Sequence, residues 1–198
     1  VDKNEENNRL VVVFAFRVSG EILMVPVFYL NGQIKGHDLL YRKPVNRFYP
    51  NTEPWITYFV EVVAIAHLIG RAESLGFDSS RIVLMGHSAG AHLSALVGTD
   101  MKYLKQAELG PKSLRGIIPL DGACYDVPRQ IADGGDFMHD TYVQAFGTEK
   151  ERQLALSPTA QATAPNAPAF LILHVQRVDG TAQSQALGEA LQKAGTPA

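Results

Sequence analysis

Ser80-Arg-Ile-Val-Leu-Met-Gly86-His87-Ser88-Ala89-Gly90-Ala-His92-Leu-Ser-Ala-Leu96 is the stretch that decides the fold. Arg81 to Met85 is a short apolar run with β-branched residues, as expected of a buried strand. Ala91 to Val97 begins a helix rich in small residues, which lets a helix approach a sheet closely. Between them lies Gly-x-Ser-x-Gly. This spacing suits a sharp turn that lifts the Ser88 hydroxyl out at the C-terminal edge of the sheet. The neighbours two residues away must be small, and here they are Gly86 and Gly90. The same turn aims the backbone N–H of Ala89 outward, near a helix N-terminus that favours negative charge. A glycine-rich turn without chemistry is the plain alternative. A phosphate-binding loop fits less well, because the segment lacks the Lys and spacing of one such motif and the third glycine of another.

Working outward, Leu10 to Phe16 predicts a strand buried on both faces, and Ile22 to Leu30 a second one. Pro26 in the middle of the latter favours an edge or a bulge. Asn31 to Pro54 reads as loop, punctuated by glycine and proline. Trp55 to Leu75 reads as a helix, with Trp55, Phe59, Val62, Val63, Ala66 and Ile69 on one face and Gly76 as its cap. Leu114 to Leu120 predicts a strand ending at Asp121, and Ala169 to Val175 a further one. Short helical stretches are expected at Tyr142 to Phe146 and Glu149 to Leu156. An amphipathic helix is expected at Thr181 to Ala194, with Ala186, Leu187, Ala190 and Leu191 on one face. Strands alternating with helices imply a mostly parallel sheet with helices on both faces.

The chain has 198 residues, enough for one domain, 1–198, with its own core. A formal net charge of −2 predicts no broad attraction to nucleic acid or anionic membranes. The longest apolar run, Ile22 to Leu30, is too short for a membrane span, and Val1 to Arg9 lacks a signal-peptide core. The expectation is a soluble protein, cytoplasmic sooner than secreted. With one cysteine, Cys124, no internal disulfide forms, and the residue reads as a small buried apolar group.

The segment Ser80 to Leu93 resembles the α/β-hydrolase esterases and lipases near the hormone-sensitive-lipase and carboxylesterase groups. Asp38-Leu-Leu-Tyr41-Arg42 with Phe48-Tyr49-Pro50 is similar to their Asp-Tyr-Arg…Phe-Pro stretch. Leu156-Ser157-Pro158 and Pro168 to His174 are similar to the run into the strand before their acid. The resemblance implies an α/β-hydrolase fold, shortened here at the C-terminus. It implies hydrolysis of small carboxylic esters through an acyl-enzyme on Ser88, with no metal or organic cofactor. The partner is then a small-molecule ester, with Ala89 in the oxyanion hole. Asp179 is the expected acid, against a plain role as a turn or N-cap aspartate. Asp121 is the second candidate and Asp126 the third.

Two departures qualify that implication. Family order is Ser, acid, His, yet no His follows Asp179. The histidines are His37, His67, His87, His92, His139 and His174. None occupies the expected place. His37 and His139 read as loop residues, His67 as helical, His92 as packed beneath the sheet, and His174 as the end of a strand. The catalytic His is therefore expected beyond Ala198. The glycine-rich oxyanion segment is replaced by Arg17-Val18-Ser19-Gly20, whose backbone N–H groups from Val18 to Gly20 are the expected donors. Two alternatives stay open beside ester hydrolysis: a hydrolase-fold protein without a catalytic His, and an amidase on the same turn. Trp55, Tyr58, Phe137 and Tyr142 are candidate acyl-pocket residues or simple core.

Overall fold

Apolar, β-branched runs on either side of the Ser88 turn build the middle of the protein. The structure is a computed structural model. It describes the backbone of residues 9–18, 21–30, 33–37 and 41–44. Residues 62, 65–75 and 77–198 are described with their side chains, apart from those of Asp136 and Phe137. The strands are β1 (Arg9–Val18), β2 (Glu21–Leu30), β3 (Gln33–His37), β4 (Tyr41–Pro44), β5 (Ile82–His87) and β6 (Gly116–Leu120). They form one six-stranded sheet in the order β3-β2-β1-β5-β6, with β4 also pairing β2. From β1 to β6 the pairing is parallel. Residues 170–173 continue this run through parallel bridges from Phe170 to Ile117 and from Leu173 to Leu120. On the other side of β1, the pairings β1–β2, β2–β3 and β2–β4 are antiparallel.

Pro26 does not put β2 at an edge. It pairs with Val13 of β1. On the opposite flank β3 covers Val27–Leu30 and β4 covers Glu21–Met24, so Pro26 falls in the gap between them. On that flank, among the described residues, no strand residue stands opposite a residue that lacks an N–H. The expected loop from Asn31 to Pro54 is thus corrected. It contains β3 and β4, and His37 closes β3 instead of sitting in a loop.

The described helices are α1 (Ala72–Leu75), preceded by a helical run at 65–70, α2 (Ala89–Thr99), α3 (Met101–Gln106), α4 (Val127–Asp133), α5 (Gly135–Phe146), α6 (Lys150–Ala155), α7 (Pro158–Gln161) and α8 (Val178–Lys193). His139 consequently lies on α5 and not in a loop. α5 begins earlier than expected, and α3, α4 and α7 were not anticipated. Ahead of β5 the buried face is Val62, Ile65, Leu68 and Ala72, rotated from the expected stripe; Ala66 and Ile69 are only half-buried. Trp55, Phe59, Val63 and Gly76 lie outside the described residues, as do Phe48 and Pro50.

α2 is the central helix, with Ala91, Ala95, Leu96 and Val97 fully buried. It lies close against β5, β6 and β1. Gly98 permits this approach: a Cβ there would press into the Ile117 side chain and the Phe170 ring. α8 buries Leu187 and Leu191 in the same core. No helix among the described residues is long and apolar enough to cross a membrane.

His92 is sealed under α2. Its Nδ1–H donates to the Cys124 carbonyl at 2.9 Å, and its ring packs on Phe146 at 5.1 Å between centroids. Burial drives its pKa down to about 4, against the pull of the Cys124 and Ala123 carbonyls. The unfolded chain then binds the proton more readily than the folded one. The His92 contribution is complete above pH 6.5 and is lost as pH falls from there toward 4. Denaturant unfolding is expected to show a loss of about 2 kcal/mol between pH 7 and pH 5 from this residue. In His92→Gln that component of the slope should disappear.

Candidate functional site

Ser88 sits between the last residue of β5 and the first of α2. Its backbone is held at φ 55° and ψ −118°, a left-handed conformation that costs a non-glycine residue on the order of 1–3 kcal/mol. Two contacts enforce it. A Cβ on Gly86 would collide with the Gly90 carbonyl and the Ala91 nitrogen, so only glycine lets strand and helix fold back so tightly. The Ser88 N–H also donates to the Leu120 carbonyl at 3.0 Å, tying the turn to the end of β6. Ser88 and Ala89 are exposed. Ala89 opens α2, where first-turn N–H groups have no intrahelical acceptor. The spacing argument for Gly-x-Ser-x-Gly therefore describes the local geometry well.

Register brings three chain positions to the same edge. His87 aligns with Leu120, and Leu120 with Leu173. The next residues, Ser88, Asp121 and His174, follow the C-terminal ends of adjacent parallel segments, where open α/β sheets bind ligands. Asp121 has φ 46° and Cys124 φ 61°, so the chain turns sharply just after β6. Gly122 is required inside that turn, since a Cβ would strike the Tyr125 hydroxyl and the Ala91 methyl.

Asp179 lies in the first turn of α8, which starts at Val178 and not near Thr181. The N-terminal charge of the helix suits a carboxylate there. Arg177 Nε donates to Asp179 Oδ1 at 2.7 Å, and Gln130 Nε2 donates to Oδ2 at 3.2 Å. Partial burial pushes the Asp179 carboxyl up. The Arg177 hydrogen bond, the Gly180 N–H, the Gln130 amide and the Arg177 charge outweigh it and hold the group below the usual carboxylate range. Arg177 Nη1 also lies 3.5 Å from Asp121 Oδ1. The two leading candidate acids are thus joined through one guanidinium. Asp126, the third, caps α4 by accepting the Arg129 N–H at 3.2 Å.

Among the described residues no imidazole hydrogen-bonds the Ser88 hydroxyl. His67, His87, His139 and His174 are exposed, and His92 is bound to Cys124. His139 pairs with Asp140, while His174 Nδ1 meets the Val175 carbonyl and the Thr181 hydroxyl. The side chain of His37 lies outside the described residues, as do Trp55, Tyr58, Ser19, Gly20 and the side chain of Phe137. Tyr142 is half-buried, with its hydroxyl 3.5 Å from Gln130 Nε2. Cys124 is buried and its thiol is pushed up to about 12, chiefly by burial and then by the Asp179 charge. Sequence reasoning missed Gln130 and Arg177. An arginine two residues before a candidate acid is a usable signal, whereas nothing local marks Gln130. No group of His, Cys, Asp or Glu among the described residues is placed to hold a metal.

Two substitutions probe the turn. Gly86→Ala is expected to lose about 3 kcal/mol of stability by forcing strand and helix apart. Ser88→Gly is expected to unfold about 1 kcal/mol above Ser88→Ala, because glycine tolerates the positive φ. Urea unfolding of the three variants beside wild type checks both.

Solved structures of esterases share this fold. An esterase from Thermogutta terrifontis with propionate bound superposes with a TM-score of 0.63 at 19% identity, covering 99% of this chain and 72% of its own. Esterase B from Lactobacillus rhamnosis, in an inhibited form, gives 0.60 at 16% identity, covering 88% and 68%. An acetyl ester-xyloside bifunctional hydrolase from Caldicellulosiruptor lactoaceticus gives 0.59 at 20% identity, covering 87% and 58%. No curated protein matches the sequence. The BD-FAE family model matches residues 61–191, a span that includes both Ser88 and Asp179. With that match over most of its length and a sheet edge built around Ser88, the chain belongs to the BD-FAE family of esterase-like α/β-hydrolases.

Proposed function

We propose that this protein hydrolyses small carboxylic esters through an acyl-enzyme on Ser88. The observation that carries the reading is the strained, exposed Ser88 at the C-terminal edge of the sheet. Strain of this kind persists only where the surroundings enforce it, and it clusters at reactive sites. Ser88 Oγ attacks the ester carbonyl, and the developing oxyanion lies against the Ala89 N–H and the N-terminus of α2. Collapse breaks the C–O bond, and the leaving alcohol takes up the proton that the Ser88 hydroxyl gave to the base. Water then cleaves the acyl-serine to a carboxylic acid. Asp179 acts as the acid that orients an imidazole base. A short acyl group is supported by one esterase of the same fold, seen with propionate and with butyrate bound.

A second reading draws on Arg177. Its Nε donates to Asp179 Oδ1 at 2.7 Å while Gln130 Nε2 donates to Oδ2, so both carboxylate oxygens already have a donor. In that reading the chain binds esters without turning them over. Loss of one triad member lowers rates by on the order of 10⁴–10⁶. Both readings are tested with a fluorophosphonate probe, peptide mass spectrometry and p-nitrophenyl butyrate turnover. Hydrolysis is expected to give a single labelled peptide at Ser88, with label and turnover abolished in Ser88→Ala. Labelling that persists in Ser88→Ala removes Ser88 as nucleophile. Absence of both label and turnover in wild type favours binding alone.

A further inference from the structure

α4 and α8 are joined by two side-chain rungs. Asp126 and Gln130 stand four residues apart at the start of α4. Asp179 and Gln183 stand four apart at the start of α8. A spacing of four puts each pair on one helix face. In the first rung Gln183 uses both ends of its amide on the Asp126 backbone. Its Oε1 accepts from the Asp126 N–H at 2.6 Å, and its Nε2 donates to the Asp126 carbonyl at 3.1 Å. In the second rung Gln130 Nε2 donates to Asp179 Oδ2 at 3.2 Å, while its Oε1 faces the Cys124 N–H at 3.5 Å.

Gln130 Nε2 also meets the Tyr142 hydroxyl, which can donate or accept, so the other two neighbours fix the amide's orientation. The Cys124 N–H requires an acceptor and the carboxylate requires a donor, so no flipped amide satisfies both. Gln130 is only 1% exposed, whereas Arg177 is 44% exposed at its side chain. The Asp179 oxygens therefore differ. Oδ2 is held by a buried, twice-anchored amide. Oδ1 is held by a long side chain at the solvent boundary that also reaches Asp121.

We infer that Gln130 is a positioning residue for Asp179: it fixes the carboxylate through Oδ2 and leaves Oδ1 as the oxygen that changes partner. This rests on the reading of Asp179 as the acid. Arg177 holds Oδ1 in the structure described, and the group that Asp179 serves takes the same oxygen when Arg177 turns toward Asp121. The first rung keeps α4 against α8 independently of the second, so the carboxylate contact can be removed without separating the helices.

The test follows the Asp179 carboxyl by ¹³C NMR titration of the full chain, together with the rate of Ser88 labelling. Gln130→Met keeps the side-chain length and deletes the donor. It is expected to raise the Asp179 midpoint by about one pH unit. Gln130→Glu keeps the acceptor for the Cys124 N–H and sets two carboxyls in contact, which should raise the midpoint further, whichever variant folds better. Gln183→Met, which cuts only the first rung, is expected to leave the midpoint in place. An unmoved midpoint in both Gln130 variants overturns the proposal, as does an equal shift in Gln183→Met. Asp179→Asn separates the underlying reading. Labelling at the wild-type rate in that variant overturns Asp179 as the acid, and the positioning role falls with it. Slowed labelling in Asp179→Asn beside an unmoved midpoint in both Gln130 variants overturns the positioning role alone.

Discussion

Ser88 can hold its backbone at φ 55° only because β5 and α2 fold back on each other at Gly86 and Gly90. Much of the structure serves that contact. α2 must come close to the sheet for the turn to be so sharp, and Gly98 clears the way against Ile117 and Phe170. The Leu120 carbonyl takes the Ser88 N–H, so the end of β6 is set by the same turn. Residues 170–173 then align on β6 and carry the chain toward α8 and Asp179. A shift at any of these places would be passed to the serine hydroxyl through backbone, not through flexible side chains.

The features legible in the sequence were those written within a few residues. β5, the turn and α2 are consecutive, and their apolar runs and glycines state the geometry directly. Asp179 is singled out only by the resemblance, since an aspartate near a helix start has many uses. β3 and β4 were read as loop because they are short, polar and flanked by glycine and proline. Their strand character comes from pairing with β2, a tertiary contact that overrides local preference. α3 and α4 were missed for a related reason. Each is six or seven residues long and depends on one aspartate cap, Asp100 or Asp126. Gln130 meets Asp179 across 49 residues of chain, beyond any sequence window.

The electrostatics at the sheet edge are local compensation. Arg177 sits between Asp121 and Asp179, and α8 adds the partial positive charge of its N-terminus. Two acids are thereby accommodated beside one another. His92, by contrast, is spent on packing: neutral, buried and bonded to the Cys124 carbonyl, it holds the turn after β6 against α2.

Cys124 carries a consequence for handling the protein. It is the sole cysteine of the chain. It is buried, and its thiol stays protonated far above neutral pH. Only a thiolate reacts readily with maleimides or iodoacetamides. In the folded state its burial and raised pKa are therefore expected to make Cys124 slow to react. A cysteine introduced on the exposed side of α8 or α5 can carry a single dye or spin label with the native residue left in place. Modification of Cys124 itself then becomes a chemical clock for unfolding, because the sulfur becomes reactive only when the turn beneath α2 opens.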